Sequence, residues 1–364
     1  MRVEQPERTG IAGADWSGRS NEMKAIHGGD IYRNQVTLDF SVNVNPLGIP
    51  GEVEAALHDA VKECGKYPDI SAEKLSRAVS DMLQIPKEYL LFGNGASELF
   101  MAIMHGIRPK KTVIPVPSFY GYEYAAEAAS ENVWYYIMKE EAQFCLQEDF
   151  LEALTEDTEL LFLANPNNPT GSLLQKEYLY QLLNHCRDQG IYVVLDECFI
   201  EFCGEEYSML RELERFDNLM IVRAFTKIFA IPGVRLGYLM CSNKTLRERI
   251  RRQLPEWNLS VFAQIAGCAC AKQRVFIQQT VDYVREERQF LEKNLREMEL
   301  QIFPGTADFI LLYTKYPLYN KLLERGIMIR SCENFKGLSE GFYRIAVKSR
   351  EENERLIQIL KKLL

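Results

Sequence analysis

From residue 89 onward the chain alternates short, continuous apolar runs with longer amphipathic ones. The runs are YLLFG (89–93), TVIPV (112–116), VWYYIM (133–138), ELLFLA (159–164), IYVVLD (191–196), LMIVRA (219–224) and GYLMC (237–241). They are rich in Val, Ile, Leu and Tyr and bounded by turn residues, which favours strands over buried helix segments. Strands apolar on both faces and separated by helices predict a mostly parallel, seven-stranded sheet covered on both sides, an α/β fold. Ahead of them, 36–44 reads as extended and ends in Asn45-Pro46-Leu47-Gly48, and helices are predicted over 52–64 and 71–83, the second with Ser71 at its N-cap and Lys74 at N3. Further helices are expected over 99–106 and 175–189. Beyond Asn243 the texture changes to charged helices (244–254, 275–298), short strands (307–312, 342–347) and a closing helix (351–364), which predicts a smaller α+β unit.

Composition narrows the class. At roughly 150 residues per domain, 364 residues make about two domains. A formal charge of −8 offers no footprint for nucleic acid or an anionic membrane, though it does not forbid a local basic pocket. Nine scattered cysteines form no CxxC pair and the four histidines lack ligand spacing, so reduced thiols and no metal site are expected. Residues 1–22 are polar, without the apolar core of a signal peptide, and no apolar run approaches the ~18 residues that span a bilayer. A cytoplasmic enzyme is expected.

Chemistry is sought where strands end, because open parallel sheets bind ligands at their carboxyl edge. Gly93-Asn94-Gly95-Ala96-Ser97-Glu98 opens a helix: it is either an anion site made by free amides or a tight connection. Asn165-Pro166-Asn167-Asn168-Pro169-Thr170-Gly171 presents Asn168 from a stiff loop, suited to a phenolic oxygen, or is a plain turn. Asp196 ends an otherwise apolar strand; it needs a cationic partner or good hydrogen bonds to stay ionised, and an N-cap or a salt bridge would serve equally. Lys227 sits among apolar residues close to Arg235, where desolvation and a second cation would make it a nucleophilic amine; a snorkelling lysine is the alternative.

In this order and spacing the four segments resemble those of the fold-type I pyridoxal-phosphate enzymes, the aspartate aminotransferase superfamily, from about residue 27 to the C-terminal end. The resemblance implies pyridoxal 5'-phosphate as cofactor, with Lys227 as its Schiff-base lysine, Asp196 as partner of the ring nitrogen and Asn168 as donor to the ring hydroxyl. It makes Arg235, Thr226 and the Gly95-Ala96-Ser97 turn a phosphate cradle and Phe119 the stacking aromatic. Tyr67 would reach the cofactor of a second subunit, which implies a homodimer with shared sites, and Arg344 would grip the substrate carboxylate. It also implies an N-terminal segment, 1–50, joined to a small domain at 246–364, and a large cofactor-binding domain at 51–245.

Finer features, His27-Gly28-Gly29-Asp30, Asp39 to Gly48, Ala230-Ile231-Pro232-Gly233 and Ile329 to Phe335, resemble the threonine-phosphate decarboxylase branch, a relative of histidinol-phosphate aminotransferase. Phe199 stands where aminotransferases of the superfamily usually carry Tyr, and Ala224 replaces a frequent Ser or Thr. The implied substrate is a phosphorylated amino acid, O-phospho-L-threonine first, held by Arg330, Lys336, His27 and Asn45. Decarboxylation is the first expectation and transamination, as on histidinol phosphate, the second.

Overall fold

All seven apolar runs are strands of one sheet. The computed structural model describes residues 30–130 and 132–364. In chain order the strands are β1 (Leu38–Asp39), β2 (Leu90–Gly93), β3 (Lys111–Val116), β4 (Asn132–Ile137), β5 (Leu160–Ala164), β6 (Tyr192–Asp196), β7 (Leu219–Ala224), β8 (Gly237–Met240), β9 (Gln301–Ile302), β10 (Phe309–Tyr313), β11 (Ile327–Met328), β12 (Arg330–Ser331) and β13 (Phe342–Ala346). The large sheet has the order β2-β8-β7-β6-β5-β3-β4, and β8 alone runs antiparallel to its neighbours.

Alternation along the central strands explains why they are apolar throughout. On β5, Leu161 and Leu163 join one core while Leu160 and Phe162 join the other; on β6, Val193 and Leu195 oppose Val194 in the same way. Leu179, Leu182 and Leu183 of the helix Lys176–Asp188 belong to the first core. The helices Ala96–Ile107, Tyr120–Glu127 and Lys244–Arg251 contribute to the second. The edge strand β4 contains no fully buried residue.

A second sheet, β12-β13-β10-β9, is antiparallel, and β1 pairs in parallel with β11. The N–H of Phe40 donates to Met328 O at 2.7 Å and the N–H of Ala346 to Phe40 O at 2.8 Å. The segment before the first helix is thereby stitched to residues near the other end of the chain.

Local expectations needed correction at one helix. The second helix begins at Glu73, not Ser71, after Ala72 with a φ of +46°. Asp69 takes the capping role: its Oδ2 accepts the Glu73 N–H at 2.9 Å and its Oδ1 the Ser71 N–H at 3.0 Å. A carboxylate is a stronger acceptor than the Ser71 hydroxyl, which itself donates to Asp69.

Under β7 lies a buried ion network that the periodicity did not reveal. Arg223 donates to Glu197 Oε2 through Nε at 3.0 Å and Nη2 at 2.9 Å, to Ser208 Oγ at 2.7 Å and to Glu205 Oε1 at 2.8 Å. Glu201 is 3.9 Å from the same guanidinium, and burial pushes its carboxyl up to about 8. Removing one partner from a buried network leaves the others uncompensated. Arg223→Met is therefore expected to lower stability by about 3–5 kcal/mol in urea denaturation; an unchanged urea midpoint would show that the network contributes nothing.

Candidate active site

Three strand ends of the large sheet converge with the antiparallel sheet. The N–H of Asn165 donates to Asp196 O at 2.8 Å, which holds the loop 165–171 beside the end of β6. Two of its peptide bonds, Asn165–Pro166 and Asn168–Pro169, are cis.

Asp196 shares the face of β6 that carries Val194, and it is buried. Its Oδ1 accepts the Cys198 N–H at 2.8 Å and its Oδ2 the Tyr122 hydroxyl at 2.5 Å. Burial pushes this carboxyl up, and those bonds pull it partly back. A cation placed against it would favour the ionised form. Tyr122 was not singled out from the sequence, where it reads as an ordinary core aromatic. It stacks on Phe162 at 5.3 Å and meets the edge of Phe119 at 5.6 Å, so Phe119 and Asp196 are linked through it.

Lys227 lies on the helical turn Phe225–Ile228 that follows β7, beside the buried Thr226. Its Nζ is 5.8 Å from the centre of the Phe199 ring, which packs edge-on against Phe309. Burial lowers the amine's proton affinity, and the charges of Arg344 and Arg235 lower it further; Asp308 and the Cys198 thiol act in the opposite direction. A lowered proton affinity is the direction that favours a nucleophilic amine.

Arg235 reaches back to the glycine-rich turn. Gly95 has a φ of +79°, and a Cβ there would stand 2.3 Å from Arg235 Nη2, so the guanidinium fills the space that only glycine leaves. Ala96 and exposed Ser97 open the helix Ala96–Ile107, whose first-turn amides have no intrahelical acceptor. A guanidinium at a helix N-terminus is the donor set of a phosphate cradle.

Arg344 is the hub of the other wall. It donates to Asn168 Oδ1 through Nη1 and to Ser41 O through Nη2 at 2.9 Å, while its Nε, though buried, has no partner among the described residues. Its guanidinium lies 5.3 Å from the Phe309 ring centre, and burial brings its proton affinity down to about 10. Directly opposite on β12 is Arg330, also buried. Arg330 donates to Ser331 O at 2.6 Å and Asn334 Oδ1 at 2.9 Å, so the hydrogen bonds of both arginines end on neutral oxygens. Two like charges facing each other across an antiparallel pair are destabilising unless an anion joins them.

Two of the remaining candidates border this core with their polar groups already paired. Lys336 lines a cavity with Ser118, Phe119, Glu123 and Arg330, but its ammonium is paired with Glu123 at 2.8 Å. Asn45 donates through Nδ2 to Ile228 O at 2.6 Å and Thr280 Oγ1 at 2.8 Å, and its N–H donates to Lys227 O at 3.1 Å. Its amide is occupied in fixing the lysine turn. Tyr67 stands 84% exposed beside Trp257, their ring centres 5.2 Å apart. His27 lies outside the described residues. Among the described residues no helix is long and apolar enough to cross a membrane.

Residues 35–360 match the family model for aminotransferase class I and II. The chain is 35% identical over 354 residues to threonine-phosphate decarboxylase of Salmonella typhimurium, covering 94% of this chain and 97% of that protein. Among solved structures, histidinol-phosphate aminotransferase from Clostridium acetobutylicum superposes with a TM-score of 0.84 at 31% identity, covering 89% of this chain and 98% of that one. L-threonine-O-3-phosphate decarboxylase from Porphyromonas gingivalis gives 0.79 at 26% identity, over 89% and 98%. With the family match over residues 35–360 and a relative 35% identical over 94% of its length, the chain belongs to the aminotransferase class I and II family, whose members are pyridoxal-phosphate-dependent enzymes.

Proposed function

We propose that this chain is a pyridoxal-phosphate-dependent lyase that removes CO₂ from a phosphorylated amino acid, O-phospho-L-threonine first, yielding aminopropanol phosphate. The observation that carries this reading is the facing pair Arg330 and Arg344, buried and without a carboxylate ion pair among the described residues, on the wall opposite the Lys227 amine. A substrate with both a carboxylate and a phosphate supplies the negative charge that such a pair lacks. Kinship to proteins named for threonine phosphate supports the same substrate class.

The residues fit the cofactor. Gly95 and Arg235 would hold its phosphate, Asp196 its ring nitrogen, Asn168 its ring hydroxyl and Lys227 its aldehyde carbon, with Phe119 against the ring. Bound there, pyridoxal phosphate supplies an electron sink for the pair left when a bond to the α-carbon breaks. Arg344 would orient the substrate carboxylate, and with that carboxylate aligned to the electron sink the bond to it, and not the α-carbon's bond to hydrogen, would be the one to break, releasing CO₂. Lys227 Nζ, its proton weakly held, then donates that proton to the α-carbon. Phe199 offers no hydroxyl to the ring, which sets this chain apart from the aminotransferase pattern without choosing the bond. The outward display of Tyr67 suits a site shared between two copies of the chain.

Incubation of the cofactor-loaded protein with O-phospho-L-threonine is expected to release CO₂ and aminopropanol phosphate in equal amounts, with no keto-acid requirement. Absence of both products, together with amino-group exchange between histidinol phosphate and a keto acid, would overturn the lyase in favour of an aminotransferase.

A further inference from the structure

We propose that Glu98 is a positioning residue for the phosphate cradle: together with Asn258 it clamps the turn 92–95, so that the amides opening the helix Ala96–Ile107 and the Arg235 guanidinium keep the spacing an anion needs. This rests on the cradle holding the cofactor's phosphate, and it concerns a carboxylate to which the motifs gave no role.

Glu98 is the third residue of that helix, a position from which a glutamate ordinarily reaches back to the N–H of the N-cap residue. Here the N-cap is Gly95, and its N–H donates instead to Gly93 O at 2.8 Å. Glu98 reaches one residue further: its Oε2 accepts the Asn94 N–H at 2.7 Å. The same oxygen accepts Asn258 Nδ2 at 2.8 Å, and that nitrogen also donates to Phe92 O at 3.0 Å. Asn258 thus ties the end of β2 to the head of the helix, with the turn closed between them. It is the residue after Trp257, whose ring packs against Tyr67.

What the clamp fixes is a close fit. Arg235 fills the space beside Gly95, as described above. On the side of β8, a Cβ on Gly237 would stand 2.7 Å from Ala96 N and 2.7 Å from the carbonyl carbon of Gly95. The turn is therefore wedged between β8 and a guanidinium, and a small shift would spoil both contacts. Asn94 is its exposed residue, and that is where Glu98 takes hold. A carboxylate in a turn that should attract an anion repels the anion. Glu98 can favour a bound phosphate only through the geometry it imposes, which separates its role from that of Arg235.

The test is equilibrium titration of the full chain, freed of cofactor, with pyridoxal 5'-phosphate and separately with pyridoxal, which lacks the phosphate. Wild type is expected to prefer the phosphorylated compound by at least about tenfold. Equal affinities in wild type would mean that the cradle holds no phosphate, which is failure of the underlying reading and overturns both. Glu98→Ala is expected to weaken pyridoxal phosphate by about tenfold and to leave pyridoxal within about twofold, the scale of a hydrogen bond to a charged group. Glu98→Gln, which keeps an oxygen for both bonds and drops the charge, is expected to stay within about threefold of wild type for both compounds. Asn258→Ala, which loosens the clamp from its other end, is expected to shift the ratio in the same direction as Glu98→Ala. A Glu98→Ala protein that keeps the wild-type preference would overturn the inference, as would a Gln variant as weak as the Ala variant. Equal weakening of both compounds would overturn it too, by making Glu98 a support of the fold. Where circular dichroism shows Glu98→Ala unfolded, the ratio measured for Asn258→Ala decides by the same criteria.

Discussion

Lys227→Ala is expected to lower turnover of the phosphorylated amino acid by at least about 10³-fold while leaving the fold intact. Lys227 contributes through its amine: its backbone carbonyl accepts the Asn45 N–H, and that bond survives truncation of the side chain. On the proposed mechanism two functions would be lost together, covalent capture of the cofactor and delivery of the proton that follows CO₂ loss. Effects of groups that serve two steps do not partition, so the loss should fall mainly on kcat. After borohydride reduction the wild-type peptide around residue 227 should carry the cofactor mass and the alanine variant should not. Turnover within tenfold of wild type would remove Lys227 from the chemistry altogether.

Arg344→Gln is expected to reduce kcat/KM by about 10²- to 10³-fold, chiefly through KM, because truncating one partner of a buried charged contact costs about 2–5 kcal/mol. Gln can still donate one hydrogen bond, so Asn168 or Ser41 O keeps a partner and the wall should hold. The variant lacks the charge that, with Arg330, calls for an anion across β12 and β13. Comparison of the phosphorylated substrate with its unphosphorylated parent sharpens the result. If Arg344 holds the carboxylate, both lose affinity alike; if only the phosphorylated compound weakens, Arg344 holds the phosphate. A KM within twofold of wild type for both would exclude Arg344 from substrate binding.

The sheet was legible because its strands are buried on both faces. Continuous apolar runs such as 159–164 and 219–224 can serve no other element of that length, and Gly, Pro and Asn mark their ends. The helix Val261–Cys270 was harder: VFAQIAGCAC is small and apolar nearly all round, so it has no polar face to announce a period. The helix Tyr120–Glu127 hid behind a run of tyrosines that fits a strand as readily. Within the site, Lys227, Asp196 and Arg235 stood out because charge in an apolar context is rare. Asp308 and Tyr122 did not. Asp308 falls inside the expected strand 307–312 and belongs to no motif, and only the three-dimensional packing shows both its oxygens without partners among the described residues. The pairing of Lys336 with Glu123 was equally invisible, since 213 residues separate them in sequence (336 − 123) and only the folded chain brings their side chains within 2.8 Å.

The bonds made by Phe40 and Asn45 have a mechanical meaning. Phe40 is laced between Met328 and Ala346, while Asn45 grips the lysine turn and Thr280. Five residues on, the same short stretch has become a tether of fixed length between the antiparallel sheet, where Arg344 and Arg330 sit, and the turn that carries the amine. Pulling those two walls apart along this stretch would break either the two backbone bonds at Phe40 or the two bonds from Asn45 to the turn, each contributing roughly 1 kcal/mol. The stretch 40–45 thereby fixes how far the arginine wall can draw away from the amine while these bonds hold.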